Sequence, residues 1–183
     1  MKKLAVTVAA LLLAAPLAAK ADIGLRLGAD ATIAYHTNVA GDSSTHFITD
    51  TWPIGFDVML SYWTPGQYLS IDAEIAEQFF GSPKSGGSNR IGTVFRPGLR
   101  ISPPVLPLYA RVAVPINFEQ PAGQTRERYD LRLGAGFNIP LVLFKIFVEA
   151  DVDFPLGGNS GPNTPDTFSQ WALALNAGLD FRF

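Results

Sequence analysis

The last eight residues of the chain read Asn176-Ala177-Gly178-Leu179-Asp180-Phe181-Arg182-Phe183. Apolar and polar side chains alternate through them with the period of two that marks a β-strand with two unlike faces. The same phase runs back through Leu175, Leu173 and Trp171, so one strand covers 167–183. Its second face carries Gln170, Ala172, Ala174, Asn176, Gly178, Asp180 and Arg182. The sequence stops in mid-pattern on an aromatic residue. A soluble domain has little reason to finish so, because an amphipathic terminal strand must bury its apolar side somewhere.

Working outward, seven earlier segments carry the same alternation: 23–36, 52–63, 68–79, 90–101, 108–118, 128–139 and 145–154. Their connections alternate in length. The long ones are 37–50, 80–90, 119–127 and 155–167; the short ones are 64–67, 102–107 and 140–144. Thr64-Pro65-Gly66-Gln67 has the Pro-Gly pair of a type II turn. An up-and-down order then places every long loop at one end and every turn at the other, as in outer-membrane barrels. The expected fold is all-β, an eight-stranded antiparallel up-and-down transmembrane β-barrel over 22–183. Pro97 and Pro115 fall inside strands. A closed barrel has no free edge to accommodate them, so local bulges are expected there.

The N-terminus reads as a signal peptide over 1–21. Lys2 and Lys3 precede an apolar run from Leu4 to Ala19, and Ala19-Lys20-Ala21 supplies a small-x-small cleavage site. A membrane-anchoring helix needs about 20 apolar residues, and Lys20 interrupts this run too early. Removal takes away three of the 14 basic residues and none of the 16 acidic ones, leaving a formal charge of −5. That balance argues against nucleic acid as a partner, which needs basic patches. No cysteine is present, so disulfides, thiolate metal sites and cysteine nucleophiles are excluded.

Alternation alone does not say which face is outside. A soluble lipocalin-like ligand carrier would have an apolar lumen and a polar exterior. Two features favour lipid outside. Aromatic residues of the apolar face gather at strand ends: Tyr35, Trp52, Phe79, Phe118, Tyr129, Phe154 and Trp171 near the long loops, and Tyr62, Phe181 and Phe183 near the turns. That is the pattern of two interfacial girdles. The other face is rich in Gly, Ala and Ser, which suit the narrow lumen that eight strands enclose. The same face carries charge. Arg96, Arg100, Arg111 and Arg132 lie between Asp57, Asp72 and Glu74 on one side and Glu149, Asp151 and Asp153 on the other. Arg26 and Asp180 can meet where the first and last strands close. Buried charges are costly unless paired, so an interlocked lumen network with ordered water is expected.

Catalytic chemistry has few candidates. His36 ends the first strand and Ser169 begins the last, but the alternation points His36 inward and Ser169 outward with Trp171. Asp42, Ser43, Ser44, His46 and Asp50 share the first long loop without a catalytic spacing. Asn159, Asn163 and Asp166 lack the spacing of a calcium loop. No catalytic residue, resident metal or cofactor is expected.

The terminal stretch resembles the C-terminal signal of bacterial outer-membrane barrels, carried here by Asn176, Gly178, Phe181 and Phe183. With strand count, loop alternation and girdles, the chain resembles the small eight-stranded barrels of the OmpA transmembrane domain and OmpX class. The resemblance implies the outer membrane of a Gram-negative bacterium and contact with its lipid and lipopolysaccharide. It also implies insertion by the barrel-assembly machinery and a monomeric state. The chain departs from the OmpA type in having no sequence after the barrel for a peptidoglycan-binding domain. The expected function is a non-enzymatic structural or surface-interaction role. The alternatives are narrow porin-like or OmpW-like transport of small or lipophilic solutes, and the soluble carrier above.

Overall fold

A computed structural model describes residues 22–39, 42–47, 54–80, 90–103, 106–119, 126–158 and 170–183. The strands are β1 (Ile23–Val39), β2 (Asp42–Phe47), β3 (Ile54–Trp63), β4 (Leu69–Phe80), β5 (Arg90–Ile101), β6 (Leu108–Ala113), β7 (Ile116–Glu119), β8 (Arg126–Pro140), β9 (Lys145–Gly158) and β10 (Trp171–Arg182). All pairings are antiparallel, and β10 returns to pair with β1, which closes a barrel of eight staves. β6 and β7 together make one stave. The chain's last residue helps the closure: Phe183 N–H donates to Ile23 C=O at 2.9 Å, and Ile23 N–H to Phe183 C=O at 3.3 Å. Gly178 sits on this seam opposite Gly28. A Cβ there would collide with the Leu27 carbonyl and lie 2.7 Å from Gly28 Cα, so the two backbones require glycine.

Burial runs inside out. Phe56, Ile75 and Ile101 are 61%, 56% and 58% exposed on the outer surface, while Arg96, Glu149 and Asp151 are completely covered. β3 shows the rule residue by residue, exposed Ile54, Phe56, Val58 and Leu60 alternating with buried Gly55, Asp57, Met59 and Ser61. This is the reverse of a lipocalin-like carrier. An apolar exterior on a closed sheet suits lipid, where every backbone polar group must be bonded within the wall.

The two in-strand prolines produce no bulge. β5 pairs with β6 and β7 in one unbroken register, Gly98 opposite Ala113 and Phe95 opposite Ile116. Pro97 C=O still accepts from Val114 N–H at 3.0 Å, and Pro115 C=O from Asp130 N–H at 3.0 Å. Each proline forfeits only its own N–H bond, Pro97 on β5 and Pro115 on the neighbouring β6–β7 stave. The register shifts fall elsewhere, at Thr32/Ala34 in β1 and at Tyr129/Asp130 in β8.

The first long loop also differs from expectation. Residues 42–47 form β2 and extend the barrel wall beside β1, from Ala34↔Phe47 to Val39↔Asp42. The bulge at Thr32/Ala34 changes the phase of β1, so Tyr35 stands opposite Ala172 and His36 opposite Trp171. Tyr35 is 39% exposed at the rim. His36, expected to point inward, stacks on Trp171 with ring centroids 5.6 Å apart and planes 9° from parallel.

Candidate functional site

Among the described residues, the lumen is the place where chemically active side chains converge. Strand phase sends them there: period two along each stave gives one inward residue in every pair. Four buried rings and chains fill the half nearest the turns: Trp63, Phe147, Tyr109 and Met59. Guanidinium groups lie against the rings. Arg26 is 4.0 Å from the Phe147 ring centre and 4.8 Å from that of Tyr109. Arg100 is 4.7 Å and Arg182 4.0 Å from the Trp63 ring centre. Cation–π contacts of this kind gain strength away from water.

Ion pairs knit this layer to the middle of the barrel. Arg26 bridges Glu149 at 3.2 Å and Asp180 at 3.3 Å. Arg100 reaches Asp72 at 3.4 Å and Asp180 at 3.5 Å, and donates to Ser61 Oγ at 2.8 Å. Arg111 touches three carboxylates: Glu74 at 2.5 Å, Glu149 at 3.4 Å and Asp72 at 3.7 Å. Toward the long loops, Arg96 pairs with Asp30 at 2.7 Å and with Glu74. Arg132 holds Asp153 through two bonds of 2.7 Å and approaches Asp151 at 3.6 Å. Asn117 donates to Asp130 at 2.7 Å, and Asn176 to Asp57 at 3.1 Å.

The structure thus brings Arg26, Asp72, Glu74, Arg96, Arg100, Arg111, Arg132, Glu149, Asp151, Asp153 and Asp180 into shared ion pairs. Asp57 is in the lumen but has no guanidinium within ion-pair distance among the described residues. Asp30, Asp130 and the aromatic layer were not singled out from sequence. Their phase in the alternation was the available signal. Asn176 and Gly178 face inward and onto the seam, while Phe181 and Phe183 face outward; Phe181 packs on Phe144 with ring centroids 5.8 Å apart. Of the expected girdles, Tyr129 is 40% exposed, and Tyr62, Phe118, Phe154 and Trp171 are partly exposed. Trp52 lies outside the described residues, as does the side chain of Phe79.

His36 has a hydroxyl at each ring nitrogen, Thr45 Oγ1 at 2.9 Å and Ser43 Oγ at 3.2 Å. Ser169, Asp50, Asn159, Asn163, Asp166 and residues 1–21 lie outside the described residues. Among the described residues, no three His, Cys, Asp or Glu side chains form a metal-holding group.

No protein-family model and no curated protein matches this chain. Solved structures do. Neisserial surface protein A matches with a TM-score of 0.54 at 10% identity, over 88% of this chain and 97% of that one. Ail, the attachment invasion locus protein of Yersinia pestis, matches with a TM-score of 0.51 at 12% identity, over 90% of this chain and 100% of its own. Ail in complex with the heparin analogue sucrose octasulfate gives 0.50 and 14% over the same shares. Both proteins are eight-stranded outer-membrane β-barrels, and the likeness is one of fold.

Proposed function

We propose that this chain is a non-enzymatic integral protein of a Gram-negative outer membrane, with a plugged lumen and four long loops available for surface contacts. The inverted burial carries the reading. The apolar exterior fits lipid, and the five arginines buried to 4% exposure or less among the described residues leave little room for a solute. Such packing supports a structural or surface role over narrow transport. Buried pairs add little net stability, because desolvation offsets most of their attraction. Their use here is to fill a polar lumen in one defined arrangement.

Heat modifiability tests the reading. A closed barrel keeps its backbone bonds internal and resists SDS until heated. Unboiled and boiled samples of the outer-membrane fraction should run differently on SDS gels. A soluble periplasmic protein with no shift would end the proposal. In planar bilayers the purified protein should be silent; steady conductance would move transport to the front.

A further inference from the structure

Among the described residues the buried lumen charges are unequal: five arginines face eight carboxylates, all under 5% exposed. Charge left over in a low-dielectric interior must be neutralised by something. Buried carboxylate oxygens without a hydrogen-bond partner occur at several points of the lumen, and one group of open acceptors surrounds Asp57. Asp57 is 3% exposed, and its one described donor is the Asn176 amide. That bond fixes the orientation of Asn176: Nδ2 serves Asp57, so Oδ1 is the atom left over. Asn176 is also 3% exposed, and its Oδ1 has no hydrogen-bond partner. Asp30 stands opposite Asn176 on β1. It gives Oδ2 to Arg96 and Gln78, at 2.7 Å and 3.4 Å, and its buried Oδ1 also has no partner.

These acceptors share a bay floored by two glycines, Gly28 opposite Asp57 and Gly55 opposite Asp30. A Cβ on Gly28 would lie 2.6 Å from Asp57 Oδ1 and 2.7 Å from Asn176 Oδ1, and one on Gly55 would overlap Asp30 Oδ1. The oxygens occupy space that any side chain would take. None of these oxygens can donate when the carboxylates are ionised.

We infer that Asp30, Asp57 and Asn176 form a binding site for a hard, oxygen-preferring cation of the Ca²⁺ class in the long-loop half of the lumen. Two carboxylates, an amide oxygen and completing waters match the ligand preference of such an ion. Two carboxylates without a bidentate cage suit weak binding, with Kd of about 0.1–1 mM. The aromatic–arginine layer closes the turn end, so loading proceeds from the long-loop end.

The test uses protein purified from the membrane fraction in detergent, with Ca²⁺ alone as the probe, by calorimetric titration and by melting in Ca²⁺ against chelator. Wild type should take up one Ca²⁺ and melt higher with it. Asp57→Asn should weaken binding about tenfold or more, since affinity follows ligand charge. Gly28→Ala, which keeps every charge, should abolish the response by filling the bay. Heat modifiability checks that each variant is folded, and the wild-type titration stands without either. No Ca²⁺ heat and no melting shift in wild type would overturn the site, leaving a proton as the neutralising species. Unchanged binding in folded Asp57→Asn would overturn it as well.

Discussion

The two halves of the lumen are built on the same staves with the same alternation, yet they are filled by opposite means. The turn half is occupied by bulk. Trp63 and Phe147 are completely covered, and Tyr109 nearly so. Small residues make way for them: a Cβ on Gly24 would lie 3.2 Å from Trp63 Nε1, and one on Gly136 would overlap the Tyr109 ring. The long-loop half has small inward residues, Gly55, Ala76, Ala113 and Ala174, with short carboxylates among them. Alternating large and small residues fill a small barrel only if complementary sizes meet across it. The turn half solves this with rings and with guanidinium planes stacked on them, whose charges Glu149, Asp72 and Asp180 balance. The long-loop half solves it with carboxylates, which need more cations than the described residues supply there.

The largest expected effect follows from that shortage. Arg96→Met removes the cation shared by Asp30 and Glu74. Stranding a buried partner costs about 3–5 kcal/mol, so the variant should unfold at much lower urea in micelles or vesicles. Adding Asp30→Asn should recover part of the loss; a double variant no better than the single one would mean that Arg96 acts by packing alone. Trp63→Ala attacks the other half. Removing a covered ring costs about 3 kcal/mol, at the low end because water can enter a polar cavity. It should also turn a silent barrel into a conducting one, read in planar bilayers. Silence in a folded Trp63→Ala barrel would place the seal elsewhere than in the aromatic layer.

Most of the wall was legible in the sequence because two faces meeting unlike surroundings force a period of two. The exceptions have physical causes. Ala31, Ile33 and Tyr35 continue the apolar phase straight through the bulge at Thr32/Ala34, so no residue type announces the shift that turns His36 onto Trp171. Residues 42–47 form a strand without any apolar alternation, held by the ladder to β1. Pro97 and Pro115 suggested bulges when each was taken alone. They stand on neighbouring staves, where two missing N–H groups interrupt the ladder without inserting a residue. In the lumen, alternation indicates which residues face inward but not which of them meet. Arg96 reaches across from β5 to Asp30 on β1, and Arg26 from β1 to Glu149 on β9. Those meetings depend on strand tilt and stagger, which are properties of the closed barrel.

The finest test of the contrast exchanges one carboxylate in each half for its amide. Asp180 belongs to the turn half and accepts from both Arg26 and Arg100, at 3.3 Å and 3.5 Å. Neutralising it leaves two buried guanidiniums short of a counter-charge. Asp180→Asn should therefore cost about 1.5–3 kcal/mol, the worth of a hydrogen bond to a charged group. Among the described residues Asp57 accepts from Asn176 alone, and an amide oxygen can accept that bond equally well. In chelator, Asp57→Asn removes an uncompensated buried charge and should leave stability unchanged or raise it by about 1 kcal/mol. Urea titration of the two variants side by side reads the sign directly. Equal losses at both positions would mean that Asp57 has a counter-charge under those conditions, and the two halves would then differ in size but not in electrostatics.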